Sequence, residues 1–235
     1  MKITCHMIMS VDGRLLPKYW SPLYNASSSV TEVYEAADAK LSADGWIVGR
    51  KTMAEYGADV VEEKEPMEGH KTMQTNTFIG KREGRPLAVV FDIQGRLHYK
   101  SPTLPCGEHI VAVLGSHVTR AYQKELEEIG VSYIMRTPGS KLEETQSALK
   151  HLEHDFNVKH MLLEGGAITC GNFLQMGLVD ELSMIVYPGL DGESDHPSVI
   201  ECQGVVEPLK KNHLELIDCE TIGSGYVWLR YNIHR

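Results

Sequence analysis

The sequence predicts an α/β fold built on a dihydrofolate-reductase-like mixed sheet, mostly parallel, with antiparallel C-terminal edge strands and helices on both faces. Three observations lead there. As far as Gly177, short apolar runs alternate with stretches of helical period, the order that βα units produce. Residues 182–187, 213–219 and 226–231 are then apolar runs with no helix between them, which marks antiparallel strands. Finally, runs stop at Gly49, Gly115 and Gly165, and ligands of open α/β sheets collect beyond such strand ends, so the three turns are expected to line one crevice.

Taken in order, residues 2–9 form a first strand, broken by Asp12-Gly13. Residues 14–28, punctuated by Pro17, Trp20, Pro22 and Asn25, read as a surface loop. A helix follows over 29–41, where Val30, Val33, Tyr34, Ala37 and Leu41 recur at helical spacing behind a Ser or Thr cap. Residues 45–48 are a second strand, and Gly49 opens a short helix. Residues 57–86 show dense charge and no period, which makes them a flap or a disordered segment. A domain boundary would fall there, but neither side alone supplies a complete sheet, so one domain over 1–235 is expected. Strands 87–91 and 110–114, helix 119–129 closed by Gly130, strand 131–135 and helix 142–154 complete the approach to the most informative stretch.

That stretch is 158–192. An apolar run over 158–163 stops at Glu164-Gly165-Gly166, and a helical period runs from Ala167 to Met176 before Gly177 ends it. Paired glycines between strand and helix let backbone N–H groups approach a ligand, and the helix start adds partial positive charge. The turn reads as an anion seat with Glu164 beside it.

Composition narrows the class. A net charge of −9 with scattered basic residues argues against a nucleic-acid or membrane face, and no apolar window is long enough to span a bilayer. Five cysteines, an odd number with no CxxC spacing, read as reduced thiols of a cytoplasmic protein, and residues 1–14 read as a strand rather than a signal peptide. His151 and His154 lack a third ligand in register, and Cys106-x-x-His109 lacks a partner pair, so no metal site is expected.

In order, the segments SVDGR (10–14), WIVGRKT (46–52), VVFDIQGRL (89–97), LLEGGAITCGNFLQMGLVDEL (162–182) and PGLDG (188–192) resemble the reductase domain of bacterial riboflavin-biosynthesis deaminase-reductases. The resemblance spans nearly the whole chain. It implies NADPH-dependent reduction of the ribosyl side chain of 5-amino-6-(5-phosphoribosylamino)uracil, or of the related diaminopyrimidine, by a stand-alone reductase, since the HxE and PCxxC zinc-ligand pattern of the deaminase half is missing. It puts cofactor contacts on Met9, Trp20, Thr52, Gly165, Gly166, Ala167, Ile168, Thr169, Cys170, Gly171 and Asn172. Substrate contacts and the catalytic roles fall on Lys40 and Glu164. It also implies a homodimer, and bare apolar strands carrying Leu182, Met184, Val186, Val227 and Leu229 would need such a cover.

One departure stands out. Relatives of this kind place an Arg shortly after the helix that follows Thr52, where it helps bind the substrate phosphate, whereas this chain has Val60, Val61, Glu62 and Glu63. Either Lys64, Lys71, Lys81 or Arg82 takes over, or the substrate is a different one. The second possibility keeps open a pterin or other heterocycle, with Glu35 or Asp38 assisting protonation. A non-catalytic nucleotide-binding module is a third reading. Preference for NADPH would draw on Arg96, Ser116 or Arg120. Plain structural roles compete as well: Lys40 as a cation at a helix end, Trp20 as a loop anchor, Thr52 as a cap and Asp12-Gly13 as a turn.

Overall fold

The computed structural model describes residues 1–25, 27–57, 59–69, 77–204 and 209–235. In chain order its elements begin β1 (Lys2–Ser10), α1 (Val30–Leu41), β2 (Gly45–Gly49), α2 (Arg50–Tyr56), β3 (Val60–Glu62), β4 (Leu87–Phe91), β5 (Leu97–Tyr99), β6 (His109–Leu114) and α3 (Arg120–Ile129). They continue β7 (Ser132–Met135), α4 (Lys141–Asp155), β8 (His160–Leu163), α5 (Ala167–Gln175), β9 (Glu181–Tyr187), β10 (His213–Ile222) and β11 (Tyr226–His234). The chain forms two compact units. A central unit comprises Met1 and Asp44–Lys159, and a terminal unit comprises Lys2–Ala43 and His160–Arg235.

In the central unit β2, β4, β6 and β7 lie parallel in that order. Leu87 to Val90 and Ile110 to Leu114 are buried, as suits parallel strands covered on both faces. Val48, Val90, Leu97, Leu114, Tyr122 and Leu126 are part of one core cluster, and each buried aliphatic side chain of this kind contributes about 1.5–3 kcal/mol. Gly49 ends β2 and Gly115 follows β6 on the same carboxyl edge. The described part of 57–86 is not without structure. β3 pairs antiparallel with β5, and Phe78 exchanges backbone hydrogen bonds with Tyr133 at 2.9 and 3.0 Å. Lys71 lies outside the described residues.

In the terminal unit the strand order is β10-β11-β9-β1-β8, with β1 parallel to both β8 and β9 and with β10 and β11 antiparallel. The mostly parallel sheet with antiparallel C-terminal strands is therefore as the sequence predicts. One detail is corrected: β9 and β11 lie inside this arrangement and Leu182 and Met184 are buried, so β10 is the edge, with Leu214, Leu216 and Ile217 exposed. Ile8, Trp20, Val33, Ala37, Ile185, Tyr187, Tyr226 and Trp228 make the core of this unit.

Helix starts divide into two kinds. Ser29 caps α1 and Ser140 caps α4, each in a capping box with Glu32 or Glu143, and Thr119 caps α3. Behind Gly49 and Gly166, α2 and α5 have no side-chain cap.

Candidate functional site

The terminal unit holds the glycine turn. β8 runs parallel to β1, with Leu163 opposite Cys5, and the chain then passes Glu164 into Gly165, whose φ of +122° is a conformation that suits glycine. The Gly165–Gly166 peptide is cis. Gly166 caps α5 with backbone alone, and no charged residue occupies the first turn, so the first-turn N–H groups keep their affinity for an anion.

α5 shows which of its residues can meet a ligand. Ala167, Cys170 and Phe173 are buried, and Cys170 Sγ lies 3.7 Å from Met7 Sδ. Gly171 is also inward: a Cβ there would collide with the carbonyl oxygen of Glu201, so this glycine serves close packing. Ile168 is exposed, whereas Gly166, Thr169 and Asn172 are half-buried. Asn172 Oδ1 is itself buried and lacks a hydrogen-bond partner among the described residues. Asn172 lies in the second turn of α5, beyond the uncapped start.

The other expected residues fall in different settings. Met9 is half-buried near the end of β1, opposite Val186. Trp20 is buried in the core, its ring centroid 4.8 Å from that of Tyr187, and its Nε1 has no partner among the described residues. Lys40 lies in the last turn of α1, where Nζ donates to Glu220 Oε1 at 3.0 Å and stands 5.2 Å from the Trp228 ring centroid. Thr52 belongs to the central unit, half-buried in the first turn of α2. Of the residues offered for the substrate phosphate, Arg82 donates to the carbonyls of Arg85 and Phe156; of those offered for NADPH preference, Arg120 is held by Glu127 at 2.6 and 3.0 Å. Lys64 and Lys81 are exposed, and Ser116 is half-buried behind Gly115.

The structure adds residues the sequence did not single out for function. Tyr34, on α1, donates its hydroxyl to the His6 carbonyl at 2.9 Å and stacks on the His6 ring at 4.4 Å. Burial, and next the charge of Glu164, push its phenol pKa well up, so Tyr34 stays a neutral donor close to that carboxylate. Asp38 acts on the same phenol, whereas Glu35 is exposed. His6 is buried and bonded to Ser183 Oγ at 2.8 Å, which also accepts from Trp228 Nε1 at 2.8 Å. Burial lowers its pKa to about 4, leaving it neutral. The helical spacing that announces Tyr34 as a core residue conceals this second role.

Asp12 explains two quoted segments at once. Its Oδ1 accepts from Ser10 Oγ at 2.6 Å and from the Asp191 N–H at 3.1 Å, and its Oδ2 accepts from the Gly192 N–H at 2.8 Å. These bonds, led by the one from Ser10, lower its pKa to about 2. Residues 10–14 and 188–192 are thus tied together, and Arg14 extends the tie through Nη1 to the His196 carbonyl at 2.7 Å. Among the described residues no helix is long and apolar enough to cross a membrane.

Comparison with solved structures finds the same fold at low identity. A pyrimidine reductase-like protein of Corynebacterium diphtheriae superposes with a TM-score of 0.65 at 18% identity, covering 100% of this chain and 92% of that one. Acinetobacter baumannii RibD gives 0.63 at 19%, covering 99% of this chain, which spans only 58% of that protein. The riboflavin biosynthesis reductase Rib7 of Saccharomyces gives 0.61 at 15%, covering 99% and 90%. The sequence profile of the RibD C-terminal domain matches residues 1–228 of the 235, and the chain therefore belongs to the RibD C-terminal domain family.

Proposed function

We propose that this chain is an NADPH-dependent reductase of the riboflavin-pathway type, acting on the ribosyl side chain of 5-amino-6-(5-phosphoribosylamino)uracil or the related diaminopyrimidine. The observation that carries the reading is the junction Glu164-Gly165-Gly166, with a carboxylate on one side and a helix start without a side-chain cap on the other. Family membership over residues 1–228 supports it.

The residues fit a dinucleotide. Gly165, Gly166, Ile168 and Thr169 would present backbone N–H groups to a phosphate, and Asn172 Oδ1 would accept from a donor of the same ligand. When bound, the nicotinamide supplies a hydride to an electrophilic carbon of the substrate. Glu164 then has the task of holding a sugar hydroxyl or the amine in line, since alignment rather than covalent attack limits such a transfer. Tyr34, kept neutral by burial and by Glu164, stands close by with its hydroxyl proton on the His6 carbonyl. Lys40 would reach a substrate anion only by leaving Glu220.

The test is NADPH consumption by the full chain with the ribosylaminouracil phosphate, with dihydrofolate, and with neither. Oxidation with the first alone is the expected result. Oxidation with dihydrofolate alone would favour the second reading, a reductase of a heterocycle without phosphate, which the acidic pair Glu62-Glu63 supports. Tight binding of NADPH without turnover would leave a nucleotide-binding module.

A homodimer belongs to the same proposal. β10 carries Leu214, Leu216 and Ile217 exposed at a sheet edge, and a second copy is the economical cover. Light scattering should give twice the chain mass, and the chain mass itself would refute the dimer.

A further inference from the structure

Three sulfur atoms meet beneath the glycine turn of the terminal unit. Cys5 and Met7 lie two residues apart on β1, so their side chains leave the strand on the same face. Cys170, near the start of α5, meets them there: its thiol donates to Met7 Sδ at 3.7 Å and is hydrogen-bonded to the Cys5 thiol as well. Cys5 and Cys170 are fully buried, and Met7 is nearly so. The hydrogen bond with Cys5, and next burial, push the Cys170 pKa well up, so this thiol keeps its proton in the free chain. The proposed hydride transfer makes no use of these side chains.

Buried thiols often serve only as small apolar groups. Here distance, softness and charge point to a ligand. With metal–sulfur bonds of about 2.3 Å, the ligands of a trigonal ion stand about 4 Å apart, and the 3.7 Å between Cys170 and Met7 is already close to that. Thiols with a thioether favour Cu(I), a soft cation, over ions that require carboxylate or imidazole. Among the described residues no three His, Cys, Asp or Glu side chains gather into a set for such ions. In a dry site a single thiolate neutralises a monovalent cation, and the charge of Glu164, which already acts on Cys170, opposes loss of a second proton.

We infer that Cys5, Met7 and Cys170 form a binding site for one Cu(I) ion. Binding exchanges a proton for the cation: one thiol loses its proton to solvent and its sulfur bonds the ion, while the second thiol and the Met7 thioether complete the set as neutral donors. No electron is transferred. Gly165 gives the approach, since the place a Cβ would take there is 3.7 Å from Met7 Sδ and Cε. A bound ion would link β1 to α5 directly beneath the turn. The site does not depend on the reductase reading.

The experiment titrates Cu(I), held as its bicinchoninate complex without oxygen, into the full chain carrying Cys106→Ser, Cys202→Ser and Cys219→Ser, which leaves Cys5 and Cys170 as the thiols. Each chain should take one ion from the competitor and release one proton, and X-ray absorption should find three sulfur neighbours. Adding Met7→Leu, a swap of similar volume, should weaken Cu(I) binding by about tenfold or more and remove one sulfur neighbour. Adding Cys170→Ala should abolish uptake. Should Met7→Leu fail to fold, the number of sulfur neighbours in the parent chain decides alone. No uptake by the folded parent chain, two sulfur neighbours in place of three, or affinity unchanged by both Met7→Leu and Cys170→Ala overturns the inference.

Discussion

Two helices begin at a glycine behind a parallel strand, α2 after Gly49 at the end of β2 in the central unit and α5 after the Glu164-Gly165-Gly166 turn beyond β8 in the terminal unit. Both starts lack a side-chain cap, while α1, α3 and α4 are closed by Ser29, Thr119 and Ser140. A closed start serves the fold, and an open one leaves donors for something else. The two open starts then differ in charge. Arg50 opens α2 and is answered by the carboxylate of Glu62, so the charge there is already neutralised within the unit. The first turn of α5 is uncharged, and what remains is backbone and dipole. The same local design thus gives an ion-paired helix start in one unit and an uncharged one in the other.

The largest effect should come from breaking the packing that fixes α5. Gly171→Val forces a side chain into the Glu201 carbonyl and should destabilise the chain by about 3 kcal/mol or more in urea unfolding. A loss under about 1 kcal/mol would mean that α5 can shift, and the seat would not be fixed.

Next in size is the acid response of the buried histidines, one per unit among the described residues. The His6 pKa is lowered to about 4 from 6.5, so between those values the unfolded chain binds the proton and the folded chain does not. Stability is therefore full above about pH 6.5 and falls as pH drops towards 4, by about 3 kcal/mol for His6. His109, bonded to Ser132 and lowered to about 4 chiefly by burial, acts with the same sign in the central unit. A His6→Asn chain should show a flatter stability profile between pH 4 and 6.5; an unchanged slope would remove His6 from the explanation. Asp12 works lower down, stabilising the fold above the ordinary carboxylate range and losing that effect as pH falls towards about 2.

Glu164→Gln should lower turnover about a hundredfold with NADPH affinity unchanged, since the change leaves the amides of α5 alone. Loss of NADPH binding instead would make Glu164 a cofactor residue. The smallest effect is expected from Lys40→Ala: its exposed pair with Glu220 is worth no more than about 1 kcal/mol. A large fall in turnover would show that Lys40 leaves Glu220 during the reaction.

Much of this was legible in the residues. β4 and β6 are continuous apolar runs because parallel strands are covered on both faces, and Gly130 and Gly177 end helices at positive φ. β3 and β5 escape notice because three residues are too few to show a period, so their pairing depends on contacts distant in sequence. For Trp20 the sequence offers a loop anchor, and only the structure names Tyr187 as the ring it packs against. At the site, Glu164-Gly165-Gly166 could be read from residue type and order, since backbone chemistry depends on glycine. The clasp of Glu62 on Arg50 and Arg96 could not, because it forms only when β3 folds beside β5.

The most direct measurement is NADPH binding by a Gly166→Asp chain, with circular dichroism confirming the fold. Asp is a favourable N-cap, so a purely structural junction would accept it, whereas a backbone seat for an anion would be blocked by the new carboxylate. The expected result is affinity at least about tenfold weaker with the fold retained. Unchanged affinity in a folded Gly166→Asp chain would contradict the assignment of this junction to the cofactor.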